Sequence, residues 1–242
     1  MVGIEEQFAT DMNDRYLVRE VQKKQELDEI LDVIWAANHT PYEPFIQLFF
    51  PVLGFTSAHR KAALLESKER FWKQHTADTS SHWLYALDTV TGNIVGCAQW
   101  VISMTNPFAK GVPKLEAPWW PEALNWMAVH PAHRLCGIGS LLMKVGIKMA
   151  DDLDLECWLE GSSMGKPMYE KFGFQSLLKI GFDTEIPGAT DEWRRYAHEM
   201  TPAAVFAMWR PKRGMWRLES GQEVGLPWSL GSQSGMNGAS QN

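Results

Sequence analysis

Cysteine is scarce: only Cys97, Cys136 and Cys157 occur among 242 residues, with no Cys-x-x-Cys pair. An odd, unpaired set excludes a disulfide framework and the usual zinc spacings. Cys97 and Cys157 lie in apolar, strand-like runs and read as small core residues rather than reactive thiols. The seven histidines include no His-Glu-x-x-His, so no metal is expected. No apolar run approaches the roughly 18–20 residues of a membrane span. The opening MVGIEEQFATDMNDRY is acidic and lacks the apolar stretch of a signal peptide. The expectation is a soluble, cytoplasmic protein with no membrane partner. A basic excess is missing too. Lys and Arg number 23 against 29 Asp and Glu, a formal charge of -6, which argues against nucleic acid. Acidity suits a cationic amine, but it is common among soluble enzymes.

What is present supports a folded body. Hydrophobic residues make up 45% of the chain, enough to bury a core, and no internal linker interrupts it. Leu17–Val21 reads as a first strand. The run QELDEILDVIWAAN follows, with Leu27, Ile30, Leu31, Ile34 and Trp35 at helical spacing. A proline-punctuated segment predicts a short helix ending near Pro51. Ser57–His75 reads as a longer one, with Leu64, Leu65, Phe71 and Trp72 available for the core. His82–Asp88 and Ile94–Ser103 form a predicted hairpin across TVTGN. Four prolines between Met104 and Pro121 predict a long loop. Ala123–Val129 is a strand, Gly139–Asp151 a helix, Leu155–Glu160 a strand and Lys166–Phe172 a short helix stopped by Gly173. Gln175–Glu185 and Ala203–Arg210 close the series. From Lys212 onward Gly, Ser, Gln and Asn dominate, predicting a loosely attached or disordered tail. The division is thus an extension over 1–16, one domain over 17–211 and a tail over 212–242. The order implies an α/β fold. Trp100, Trp126, Trp158 and Trp209 fall in predicted strands, as core residues or as an aromatic wall beside a substrate.

The stretch MAVHPAHRLCGIGSLLM, Met127 to Met143, carries most of the chemistry. A strand end runs through a Pro-containing turn into Arg-x-x-Gly-x-Gly (Arg134, Gly137, Gly139) and then an apolar helix. Glycines let the backbone approach a ligand, and the first helical N–H groups lack intrahelical partners. The helix dipole adds to the preference for an anion there. A dinucleotide loop would need glycine where Leu142 stands, and a nucleoside-triphosphate loop needs Gly-Lys-Ser/Thr, which is absent.

This spacing resembles the pyrophosphate loop of the GCN5-related N-acetyltransferase (GNAT) family. The resemblance extends from about Leu17 to Pro211 and includes ECWLEGSSMGKPMYEKFGF (Glu156–Phe174), which is similar to the family's fifth strand and fourth helix. The hairpin WLYALDTVTGNIVGCAQW resembles that of many fungal members. It implies a mixed, mostly antiparallel central sheet flanked by helices, the acyl-CoA N-acyltransferase fold. It also implies an acetyl-CoA cosubstrate held by backbone N–H groups of Leu135, Cys136, Gly137, Ile138, Gly139 and Ser140, in a loop shaped by Arg134, Gly137 and Gly139, with Arg134 a cation that contacts the ligand rather than a plain surface charge. Met127, Ala128 and Val129 would line a splay between strands four and five, with Met127 N–H toward the thioester carbonyl; losing such a donor costs on the order of 3 kcal/mol in other enzymes. Ser162 stands where many members carry a cofactor-contacting Asn. Tyr169 matches a tyrosine that protonates departing CoA thiolate, or it is a packing aromatic. For the general base, Glu122, Asn125 and Glu160 are the candidates. Asn cannot accept the proton, and Glu160 is preferred. The implied activity is acetyl transfer to an amine, expected to be a small molecule. Protein or peptide acetylation and non-catalytic acyl-CoA binding remain alternatives.

Overall fold

The computed structural model describes residues 15–43, 46–47, 49–105, 126–181, 187–191, 193–194, 204–217 and 220–225. Two antiparallel sheets carry the fold. The first is ordered β1 (Tyr16–Glu20), β2 (Ser81–Asp88), β3 (Ile94–Val101), β4 (Met127–Val129). The second is ordered β5 (Cys157–Ser162), β7 (Ala204–Arg210), β6 (Gln175–Gly181). Helices α1 (Lys24–His39) and α2 (Ser57–Ala77) cover one face of the first sheet, while α3 (Ile138–Asp152) covers its other face. A short α4 (Lys166–Lys171) joins α3 on the second sheet. The mixed α/β class with helix-flanked antiparallel sheets is the one the sequence predicts. The expected single central sheet is divided, because among the described residues no ladder joins β4 to β5.

Local chemistry explains the elements. In α1 the buried Leu27, Ile30, Leu31 and Ile34 recur on one stripe, and Glu26 Oε2 accepts from the N–H groups of Gln22 and Lys23 at 2.7 and 2.9 Å. In α2 the buried stripe is Ala63, Ser67 and Phe71, with Leu64 and Trp72 packing beside it. Leu65, expected in the core, is exposed instead, because it falls between two buried positions of the 3.6-residue repeat. The β2–β3 turn is fixed by Asp88, whose fully buried carboxylate takes a bidentate pair from Arg15 (3.2 and 2.8 Å) and accepts from Val90 N–H at 3.0 Å.

Helix α3 presses close to β3 of the first sheet at two glycines. A Cβ on Gly96 of β3 would lie 2.6 Å from Ile138 Cγ2, and one on Gly146 only 1.8 Å from Cε2 of Trp100. Trp100 and Met127 pack against both the β1–β4/α3 core and the β5–β7/α3 core, so they join the two sheets. Buried Arg210 of β7 adds a tie, giving Asp151 at the end of α3 two hydrogen bonds of 2.7 and 3.0 Å.

The boundary expected at Pro211 falls inside a packed stretch. Trp216 sets its ring edge-on to Trp209 with centroids 5.2 Å apart and donates Nε1–H to Gly173 O at 2.9 Å. Lys212 and Arg213 both pair with Asp154. Composition hides this docking, since two aromatic and ionic anchors suffice for a segment otherwise poor in apolar residues. Residues 226–242, including Trp228, lie outside the described residues, as do 1–14 and most of the predicted Met104–Pro121 loop.

Candidate active site

The site begins at the open edge of β4. Gln99 N–H donates to Trp126 O at 2.7 Å and His130 N–H to Val95 O at 2.9 Å, with Ala128 opposite Cys97 between them. Trp126, Ala128 and His130 therefore spend their backbone groups on β3. In an antiparallel ladder the intervening residues point the other way, so the N–H and C=O of Met127 and Val129 face the gap beyond β4. Ala128, grouped with them in the sequence reading, offers the gap no backbone group. β5 is an edge strand of the second sheet, and its Cys157 and Leu159 share a core with Met127.

At the end of β4 a 3₁₀ turn (Pro131–His133) leads into the glycine loop. Leu135 is fully exposed at φ +61°, and Gly137 caps α3 at φ +81° with no atom near its missing Cβ. Gly137 is thus required by conformation alone. Its carbonyl accepts the first helical bond from Leu141 N–H at 3.0 Å, which leaves the N–H groups of Ile138, Gly139 and Ser140 at the bare helix start. Ile138 buries its side chain and anchors the loop to β3. Gly139 is glycine for a different reason: a Cβ would meet Met168 Sδ of α4 at 2.8 Å. Cys136 is exposed on the loop, its thiol 3.5 Å from Arg134 O.

Arg134 is engaged elsewhere than at an anion. Its guanidinium donates to the carbonyls of Ala37 (2.7 Å) and Thr40, the free C-terminal acceptors of α1. The side chain therefore ties the loop to α1. Ser162 Oγ likewise has a local partner, accepting from Gly165 N–H at 3.1 Å ahead of α4.

Tyr169 and Glu160 lie on opposite faces of β5. The inward face, Cys157, Leu159 and Gly161, packs toward α3 and α4. Tyr169 lies on that face against two glycines: a Cβ on Gly161 would be 3.0 Å from its ring and one on Gly165 2.9 Å. Burial pushes its phenol up to about 12, and its hydroxyl makes no hydrogen bond among the described residues. Glu160, one residue before Gly161, projects from the other face. Desolvation raises its carboxyl above the ordinary value, partly opposed by a hydrogen bond from its own backbone N–H, although the side chain as a whole reaches solvent. Glu122 and Asn125 lie outside the described residues. Among the described residues no group of three His, Cys, Asp or Glu side chains is placed to hold a metal, and no helix is long and apolar enough to cross a membrane.

Beside Trp126, which the sequence reading weighed as core or as an aromatic wall, stands a residue it passed over, Gln99 of β3. Gln99 and Trp126 are cross-strand neighbours on the α1/α2 face, and both Gln99 Oε1 and Trp126 Nε1 are buried without a hydrogen-bond partner. The available signal was a glutamine inside the otherwise apolar strand IVGCAQWV.

Residues 78–176 match the family model for the acetyltransferase (GNAT) domain. That stretch is similar to a GNAT acetyltransferase domain. The matched span runs from the turn before β2 to the start of β6, and so contains β4, the glycine loop, α3, β5 and α4. Two solved structures share the fold. One, described as histone acetyltransferase HPA2 and related acetyltransferase from Corynebacterium glutamicum, aligns at 22% identity with TM-score 0.51, covering 81% of this chain and 95% of its own. The other is the ribosomal-protein-S5-alanine acetyltransferase from Vibrio fischeri, at 13% identity and TM-score 0.52, covering 84% and 97%. No curated protein matches the chain.

Proposed function

We propose that the GNAT domain transfers an acetyl group from acetyl-CoA to the amine of a small molecule by direct attack on the thioester. The observation that carries this reading is the edge of β4, unpaired among the described residues, running into a left-handed glycine turn at the start of a helix. One continuous backbone track then offers N–H and C=O groups to an extended amide chain and free N–H groups to a pyrophosphate at its end. These residues fit acetyl-CoA, which supplies an acetyl group activated as a thioester.

The chain's own groups divide the work. Met127 N–H polarises the carbonyl, Val129 holds the pantetheine amides, and the N–H groups of residues 138–140 take the pyrophosphate with the α3 dipole behind them. Arg134 sets the loop without spending its charge on the ligand. Glu160, its carboxyl raised above the ordinary value by desolvation, accepts the proton of the incoming ammonium. Tyr169, neutral at physiological pH, holds a proton at its hydroxyl on the opposite face for the departing thiolate. Base and acid on opposite faces suit an amine entering on one side and CoA leaving on the other.

Calorimetry with acetyl-CoA tests this reading. The wild type should bind, and a Gly137→Pro, Gly139→Pro loop variant should not; absence of binding by the wild type removes the proposal.

A further inference from the structure

Of the four buried polar atoms without a partner among the described residues, two belong to cross-strand neighbours where β3 meets the start of β4. Trp126 is 7% exposed, its ring wedged edge-on against Phe49 at a centroid distance of 4.9 Å, yet its Nε1–H meets no acceptor among the described residues. Directly across the ladder, Gln99 donates Nε2–H to Ser81 Oγ at 2.9 Å, which fixes the amide and leaves Oε1 without a donor. Buried groups of this kind are normally satisfied, because an orphan carries its full desolvation cost. The pair presents one donor and one acceptor, one residue upstream of Met127. It also lies on the sheet face turned away from α3, the same face as Glu160 and opposite to Tyr169.

Resting on the acetyl-transfer reading, we propose that Trp126 and Gln99 determine acceptor specificity by binding an amide unit adjacent to the reacting amine. The substrate carbonyl accepts from Trp126 Nε1–H, and the substrate amide N–H donates to Gln99 Oε1. A polyamine, protonated at every nitrogen, brings donors alone and leaves Trp126 unsatisfied. The recognised class is therefore an α- or β-amino amide, a unit that a small amino-acid amide and a peptide N-terminus share.

The test compares glycinamide and β-alaninamide with propylamine and putrescine as acceptors, in wild type, Trp126→Phe and Gln99→Met. Trp126→Phe keeps the ring and deletes only the N–H. Wild type should favour the amides in kcat/KM by about tenfold or more, and each variant should lose most of that preference while its propylamine rate stays unchanged. A readout without turnover is the indole region of a ¹⁵N–¹H spectrum. The resonance missing in Trp126→Phe should move when glycinamide is titrated into the wild type with CoA present, and should stay still with propylamine. Equal use of amides and plain amines, or an unmoved Trp126 resonance, overturns the specificity assignment alone. Acetyl-CoA binding with no transfer to any of the four amines overturns the transfer reading and this inference with it.

Discussion

Replacing Gly146 by alanine puts a methyl group where Trp100 already is. The added carbon would stand 1.8 Å from Cε2, 2.1 Å from Cζ2 and 2.4 Å from Nε1 of the indole. The ring is rigid, so it must retreat by roughly 2 Å to reach ordinary contact distance. Its surroundings resist, since Trp100 packs against the cores on both sheets. Overpacking of this type costs about 1–3 kcal/mol, and alanine in a helix interior returns about 1. A clash this deep belongs at the upper end of that range, so the net expectation is a loss of about 2 kcal/mol, read as a lower urea midpoint at constant slope. A Trp100→Leu background supplies the control: with the indole gone, Gly146→Ala should become neutral or mildly stabilising. Acetyl-CoA affinity should fall with stability in the single variant, because Met127 packs in the same two cores and follows any shift of Trp100. A Gly146→Ala protein as stable as wild type would refute the close α3–β3 approach on which the site geometry rests.

Stability should depend on acid through Asp88. Arg15 holds its folded carboxyl at about 2, below the ordinary 3.8, so the stabilisation is complete above the unfolded value and drains away as pH falls from about 4 toward 2. Arg15→Ala should abolish that dependence in urea midpoints measured across the range, and parallel curves would argue against the pairing. For the chemistry, Tyr169→Phe should lower kcat about 10²-fold or more with acetyl-CoA affinity unchanged, while Glu160→Gln should remove the acidic limb of the kcat/KM profile. That limb should sit above the usual carboxylate range, as the raised carboxyl requires. A profile identical in Glu160→Gln would take Glu160 out of the mechanism.

Element order was largely legible, because hydrophobic period and turn chemistry are local. The glycine loop was legible for the same reason: Gly137 answers to a backbone angle and Arg-x-x-Gly-x-Gly reports it. Features set by distant partners were not. Gly139 reads as a loop glycine but is required by Met168, and Gly146 by Trp100, neither of them a sequence neighbour. Arg134 reads as a cation awaiting an anion until the carbonyls at the end of α1 are seen in front of it. The open edge of β4 was expected from resemblance only; its alternating orientation, which separates Met127 and Val129 from Ala128, needs the ladder register. Docking of Trp216 was hidden by the polar composition around it.

The grip of Arg134 on α1 makes the glycine loop a bracket as well as a cradle. A planar fork spanning two carbonyls transmits orientation, which a lysine at the same place would not. The helix that borders the α1/α2 face is thereby indexed to the loop at the opposite end of β4. Lengthening α1 by a single residue would turn its last carbonyls by about 100° and break the index. Grafting this loop onto another scaffold would therefore have to carry the end of α1 along with it.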